Sequence, residues 1–153
     1  MRVEALGPED WRAWRDLRLE ALKDTPIGFA ELHADALLVT DEEWQARWAR
    51  PGARFLAYDQ TDHALGMAGG FRDEEGVPIL FGVYVRPAHR GGGVLEALVD
   101  AVAPWAAPDP LTLDVHVDNA RARRAYEKLG FVLTGETTPG GGTDGRGLER
   151  MRR

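Results

Sequence analysis

Apolar positions along the chain recur with two periods, one typical of strands and one typical of helices. Short apolar or alternating runs predict strands at the following positions: residues 2–6, 54–58, 64–71, 77–85, 111–117, 131–136 and 148–152. Apolar residues three and four apart predict four helices, beginning near residues 8, 41, 94 and 120. The predicted order is β-α-α-β-β-β-α-β-α-β-β, with a glycine-rich loop at residues 137–147. This succession indicates the mixed α/β class.

Polar and special residues mark the predicted helix ends. Thr40 and Glu43 have the spacing of a capping box, and Asp118 and Asn119 are candidate caps for the last helix. Gly130 is placed to stop that helix in the left-handed conformation. Two prolines, at positions 104 and 108, are expected to bound the preceding helix.

Composition restricts the class of protein. At 153 residues, the chain is expected to form one domain over residues 1–153 with a core of its own. It has no cysteine, which excludes disulfides, thiolate metal sites and a cysteine nucleophile. A net charge of −6 argues against a nucleic-acid partner. No membrane-length apolar run or signal-peptide core is present, so we expect a cytoplasmic protein without a membrane partner.

The segment from Phe81 to Glu96 carries the most specific pattern. A predicted strand ends at Arg86, and Arg90 then precedes three glycines and a helix. Glycines let main-chain N–H groups converge, and a helix N-terminus favours negative charge, so this order suits a diphosphate. A P-loop is excluded because no Lys-Ser or Lys-Thr follows, and a dinucleotide fingerprint fails because position 96 is glutamate. On these residues alone, a glycine-rich turn that merely caps a helix stays open.

A second segment lies one helix and one strand later. It reads Leu113-x-Val115-x-x-x-Asn119-x-x-Ala122-x-x-x-Tyr126-x-x-x-Gly130-Phe131. Together with Arg90-x-x-Gly93-x-Leu95, this pattern resembles the acetyl-CoA site of the GNAT (GCN5-related) N-acetyltransferases. The resemblance spans nearly the whole chain and is densest over residues 81–131. Leu95 departs from the family, which usually has glycine or alanine there.

The resemblance implies a GNAT fold, in which a central, mixed, splayed sheet of about seven strands is flanked by four helices. It implies acetyl-CoA as co-substrate and no metal. The cofactor would bind between the fourth and fifth strands as an added strand. The residues implied to contact it are Val83, Tyr84, Val85, Arg90, Gly91, Gly92, Gly93, Val94, Leu95 and Asn119. Tyr126 is implied as the general acid for the leaving thiolate.

The resemblance also implies a reaction, namely direct transfer of acetyl from acetyl-CoA to a primary amine of a small molecule or a protein N-terminus. The alternative is a non-catalytic acyl-CoA-binding sensor with the same fold. The general base stays open among Glu74, Glu75, Asp114, His116 and a water relay. The acceptor is expected between Trp11 and Trp48, where three acidic residues would suit a cationic amine: Glu20, Asp24 and Glu31. The last two strands make a homodimer a reasonable expectation.

Overall fold

Seven strands form one sheet at the centre of the computed structural model, which describes all 153 residues. The strands are β1 Arg2–Ala5, β2 Ala53–Tyr58, β3 Ala64–Arg72, β4 Pro78–Val85, β5 Thr112–His116, β6 Val132–Thr138 and β7 Leu148–Arg152. Their spatial order is β1-β2-β3-β4-β5-β7-β6. All neighbours pair antiparallel except β4 and β5, which are parallel, so the sheet is mixed as predicted.

Five α-helices accompany the sheet, rather than the four predicted. They are α1 Trp11–Asp24, α2 His33–Ala36, α3 Asp41–Ala46, α4 Val94–Ala106 and α5 Ala120–Lys128. The helix missed by the sequence interpretation is α2, a single turn too short to show a periodic pattern. The caps follow the predictions: Thr40 and Glu43 form the capping box of α3, and Asn119 caps α5.

Two predicted boundaries were wrong. Helix α4 continues through Pro104 to Ala106, because a proline in the last turn removes only the one backbone bond to residue 100. Strand β6 extends to Thr138, so the glycine-rich connection to β7 is two residues shorter than expected. Gly130 does end the α5 segment as predicted, with a φ of 90°.

Apolar side chains form two cores, one on each face of the sheet. One core packs α1 and α3 against strand residues that include Leu56, Met67 and Tyr84. The other packs α4 against strand residues that include Leu65, Leu113 and Val115. Because successive strand residues point to opposite faces, the period-two pattern of the sequence is what supplies both cores.

The sheet opens between β4 and β5. These strands pair only where Ile79 meets Thr112, near the start of both. Further along β4, Gly82 and Val83 together lie opposite the single residue Ala68 of β3. This is a β-bulge, and Gly82 adopts a φ of 63°, which favours glycine. The extra residue bends β4 away from its parallel neighbour and leaves a gap. None of the helices combines the length and the apolar character needed to cross a membrane.

Candidate active site

A cleft of about 1010 Å³ occupies the gap between β4 and β5. Its walls come from the end of α1 and the segment after it, the diverging strands, the glycine loop and α5. Eight of the ten residues expected to contact the cofactor line the cleft, as does Tyr126: Val83, Tyr84, Val85, Arg90, Gly91, Gly93, Leu95 and Asn119. Gly92 and Val94 lie within the same loop but are not part of the lining.

The edge of β4 presents backbone polar groups to the cleft. The N–H of Arg86 donates to the carbonyl of Leu65 on β3 (2.9 Å). Since strand residues alternate, the N–H and C=O of Val85 point the other way, towards the gap, where the C=O already accepts from Nε of Arg90 (2.9 Å). Tyr84 was expected to contribute to this edge as well. Its backbone instead pairs with Met67 of β3. Because of the bulge, Val83 has no register partner of its own in β3.

The glycine loop holds six consecutive backbone N–H groups that donate to no group of the chain, from Gly91 to Glu96. The first intrahelical bond of α4 runs from Ala97 to Gly93. Gly91 and Gly93 have φ values of 77° and 86°, so successive N–H groups turn towards a common point. Such a concave set of donors at a helix N-terminus is suited to phosphate oxygens. The amide of Arg90, in contrast, donates to the carbonyl of Pro87 (3.3 Å), so the free run begins one residue later than expected.

Leu95, the departure from the family pattern, does not fill the anion site. Its side chain is half-buried, lines the cleft and packs against the α4 core. Val94 is almost fully buried in that core, so only its amide is available to a ligand.

Arg90 is held by the protein itself. Its Nε donates to the carbonyl of Val85 (2.9 Å), and its Nη2 pairs with Asp24 at the end of α1 (2.9 Å). The guanidinium therefore joins the loop to β4 and α1. The Arg90 side chain is thus not free to bind phosphate directly.

Asn119 divides its amide between two tasks. Oδ1 accepts from the N–H of Ala122 and caps α5 (3.3 Å). Nδ2 donates to no protein group and lies in the cleft lining. It is thus free to donate to a carbonyl bound in the gap.

Tyr126 lies on α5 with its ring in the cleft lining and in edge contact with Phe131 (5.7 Å between centroids). No protein group bonds its hydroxyl, so that hydroxyl can donate to a ligand. Burial raises the pKa of Tyr126 above its ordinary value. The phenol therefore remains protonated throughout the physiological range.

None of the four side chains considered as a base is free in the cleft. Asp114 pairs with Arg150 through both carboxylate oxygens (3.0 and 3.3 Å). His116 bonds Asp144 through Nε2 (2.8 Å), and its Nδ1 accepts from the N–H of Asp118 (3.0 Å). Two further acids lie in the β3–β4 turn outside the cleft: Glu74 and Glu75.

The three carboxylates expected to attract a cationic amine are all paired with arginines. Glu20 binds Arg86, Asp24 binds Arg90, and Glu31 binds both Arg18 and Arg47. Hydrogen bonds from Thr25 and Arg90 lower the pKa of the Asp24 carboxyl. For Glu31, burial opposes ionisation, but the bonds from Arg47 and Arg18 outweigh it and lower the pKa. None of the three is therefore an unpaired carboxylate available to a cationic amine, a role that the sequence left undecided.

Cationic side chains instead occupy much of the cleft wall. Arg121, Arg124 and Lys128 lie on one side of α5 and form no ion pair, whereas Arg123 pairs with Glu149. The sequence interpretation had these side chains on a solvated face of the helix, with the adenosine phosphate of CoA as an alternative partner for the arginines, and Arg121, Arg124 and Lys128 are exposed. The same interpretation missed the bulge at Gly82, for which a glycine inside a strand pattern was the available signal.

The residues present fit acetyl-CoA. Six unpaired backbone N–H groups can donate to the diphosphate oxygens, and the open edge of β4 can pair with the pantetheine amides. No cluster of three or more His, Cys, Asp or Glu side chains is arranged to hold a metal ion.

Comparisons with known proteins agree with this site. The model of the Acetyltransferase (GNAT) family matches residues 11–131. A ribosomal-protein-alanine N-acetyltransferase from Brucella melitensis superposes with a TM-score of 0.77 at 20% identity, over 100% of this chain and 99% of its own. A GCN5-related N-acetyltransferase from Kribbella flavida gives 0.71 at 26% identity, over 99% and 96%. The acetyltransferase yncA from Salmonella typhimurium, solved with acetyl-CoA, gives 0.72 at 20% identity, over 100% and 92%.

No curated protein matches the chain. The family match covers most of the sequence, including both motifs and all of the cleft lining except Gly142 and Leu148. The chain therefore belongs to the GNAT acetyltransferase family and is an acetyl-CoA-dependent acyltransferase.

Proposed function

We propose that the chain, as one domain over residues 1–153, transfers acetyl directly from acetyl-CoA to a primary amine of a small molecule or a protein N-terminus. The observation that carries this proposal is the run of free amides from Gly91 to Glu96, at the mouth of a gap edged by unpaired strand backbone. Either feature alone has a structural explanation. Together they match a ligand with a diphosphate at one end and amides along its length.

The donor is held mainly by backbone groups. The amides of Gly91 to Leu95 bind the diphosphate, Val83 and Val85 pair with the pantetheine, and Nδ2 of Asn119 donates from the opposite wall. Each hydrogen bond to a charged oxygen contributes about 1.5–3 kcal/mol. Arg90 acts indirectly, because it fixes the loop relative to β4. The cations of α5 that line the cleft add favourable charge for the phosphates.

Tyr126 is the general acid. When bound, acetyl-CoA supplies an acetyl thioester, whose carbonyl carbon is attacked by the amine nitrogen while its sulfur leaves as a thiolate. A thiolate with a pKa near ~8.5 is stabilised by a donor, and the protonated phenol of Tyr126 is the uncommitted hydroxyl on α5. The hydroxyl contacts no protein group that would have to be displaced.

The amine must lose a proton before it attacks, because only its neutral form has a lone pair. Asp114 and His116 are engaged with other groups, and the remaining lining acid, Glu96, lies at the glycine-loop end. We therefore assign this proton to water in the cleft rather than to a side chain. An amine with a lower pKa is then the better acceptor at neutral pH.

The test is release of free thiol from acetyl-CoA across a panel of primary amines, with acetylated product identified by mass spectrometry. We expect stoichiometric thiol and acetyl-amine for at least one acceptor. Tight acetyl-CoA binding with no thiol release for any amine would instead support the sensor alternative.

A further inference from the structure

Two arginines share a single carboxylate beside the cleft, and a third arginine bonds the backbone of one of them. Glu31, in the segment after α1, accepts from Arg18 of α1 (3.0 Å) and from Arg47 in the turn after α3 (2.7 Å). Arg54 of β2 donates to the carbonyl of Arg47 (2.9 Å) and forms no ion pair. The cluster therefore holds three guanidinium groups and one carboxylate.

The excess positive charge is not left in open water. The side chain of Arg18 is only 13% exposed, and Nε of Arg54 is buried with no hydrogen-bond partner. Aromatic rings flank the guanidinium of Arg54, with Trp48 at 4.3 Å, Trp14 at 5.7 Å and Phe81 at 5.9 Å. Burial lowers the pKa of Arg54, and the charges of Arg18 and Arg47 lower it further. Removing such charges from water without a counter-charge is unfavourable.

One member of the cluster, Arg18, reaches the cleft. Its Nη1 is 3.6 Å from where a Cβ on Gly82, at the bulge of β4, would lie. Arg50, exposed and without an ion pair, lines the same end. Apolar rings complete this wall: Phe29, Phe71 and Phe81.

We infer that the acceptor is a free amino acid with an apolar side chain, whose carboxylate binds Arg18 at the cleft and offsets the charge of the nearby Arg54. This inference rests on the proposed acetyl transfer and names its substrate class. The carboxylate is held by guanidinium groups, which bind such planar anions well. The side chain packs on the phenylalanine rings. A polyamine is disfavoured because Glu20, Asp24 and Glu31 are already paired with arginines.

The test compares acceptors with and without a carboxylate. Thiol release is measured with L-phenylalanine, L-phenylalaninamide, 2-phenylethylamine and spermidine. The amide has the less basic amine, so simple chemical reactivity at neutral pH favours it over the acid. We expect kcat/KM for phenylalanine to exceed that for the amide by about 10- to 100-fold, the range for a charge-assisted contact. Equal or better turnover of the amide or of spermidine overturns the inference while leaving acetyl transfer intact.

Two variants assign the effect to the cluster. Arg50→Gln removes an exposed charge with no protein partner and is expected to fold normally, whereas Arg54→Gln removes the buried one. Both should reduce the ratio of phenylalanine to amide turnover, with the larger reduction in Arg54→Gln. Arg2→Gln, at the far edge of the sheet on β1, is the matched control and should leave this ratio unchanged. An unchanged ratio in Arg50→Gln and Arg54→Gln counts against the assignment.

A binding measurement separates the two proposals. Trp14 and Trp48 contact Arg54, so their fluorescence reports on a ligand at the cluster. N-acetylphenylalanine, the expected product, should change the emission saturably, and its amide should do so at least about tenfold more weakly. If no amine releases thiol yet the acid still binds preferentially, the transfer proposal fails and the carboxylate site stands. Equal affinity for acid and amide removes the site.

Discussion

Arg90 donates from Nε to the carbonyl oxygen of Val85, 2.9 Å away, and so ties the glycine loop to the end of β4. The same guanidinium reaches Asp24 on α1. The two halves of the donor site, the free amides and the free strand edge, are thus fixed relative to each other by one side chain.

Replacing Arg90 should therefore weaken acetyl-CoA binding although the side chain itself is already occupied. Arg90→Met leaves the carbonyl of Val85 without its donor and frees the loop. We expect KM for acetyl-CoA to rise about 10- to 100-fold, since a hydrogen bond to a charged group contributes about 1.5–3 kcal/mol. Steady-state kinetics checks this against Arg2→Met, which should leave KM as in the parent chain. An unaltered KM in Arg90→Met would show that the tie is dispensable.

The glycines of the loop differ in backbone conformation, which gives a matched pair of substitutions. Gly93 has a φ of 86°, whereas Gly92 lies outside the left-handed region and a Cβ there would meet only the carbonyl of His89 at 3.4 Å. Gly93→Ala should lower the free energy of unfolding by about 1–2 kcal/mol and weaken acetyl-CoA binding. Gly92→Ala should change both much less. Urea unfolding and calorimetric titration measure the two quantities, and equal effects at both positions would contradict this view of the loop.

Tyr126→Phe removes the uncommitted hydroxyl and nothing else. Because no protein group bonds that hydroxyl, the free energy of unfolding and the affinity for acetyl-CoA should stay nearly constant. Loss of a general acid lowers kcat by about 10²- to 10⁴-fold. Thiol-release kinetics beside a binding isotherm separates the two. Full turnover in the variant would mean that the leaving thiolate needs no help from this residue.

All three tyrosines should ionise abnormally late. Burial raises the pKa of Tyr126. Burial and the charge of Glu20 raise the pKa of Tyr84 to about 12. Burial and the charge of Glu4 raise the pKa of Tyr58. A folded-state pKa above the unfolded value means that the folded chain binds more protons at high pH. The stabilisation is fully present below about pH 10 and is lost as the pH rises towards 12.

Absorbance at 295 nm checks this directly. The folded chain should show little phenolate at pH 10, and the chain in urea should show about half of its final signal there. Tyr126→Phe should remove one third of the total amplitude without moving the early part of the curve. A folded chain that titrates as it does in urea would contradict the burial of these rings.

The sequence predicted most of what depends on local chemistry. Thr40 and Asn119 cap the helices expected of them, and all seven strands are present in the expected order. The opening between the fourth and fifth strands, which the family resemblance implied, is present with the loop at Gly91 to Gly93 at its mouth. The helices, caps and strands are set by periodicity and by capping residues, which act over a few residues. The cytoplasmic location and the homodimer stay predictions.

Long-range side-chain pairing is what the sequence could not supply. Glu31 looked like a free carboxylate because its partner arginines lie 13 and 16 residues away. His116 looked like a candidate base because its partner, Asp144, lies 28 residues further along the chain, in the loop between β6 and β7 and outside both motifs. In both cases the outcome depends on which elements the fold brings together, and periodicity does not encode this.

The bulge at Gly82 has a consequence for how the enzyme meets its donor. One extra residue in β4 keeps the two neighbouring strands apart. The gap therefore forms once, when the chain folds, and the strands need not separate again at each turnover. Affinity then loses little to reorganisation. The donor half can also stay constant while side chains on α1, β2 and the intervening turns change, which lets new acceptors evolve against an unchanged nucleotide grip.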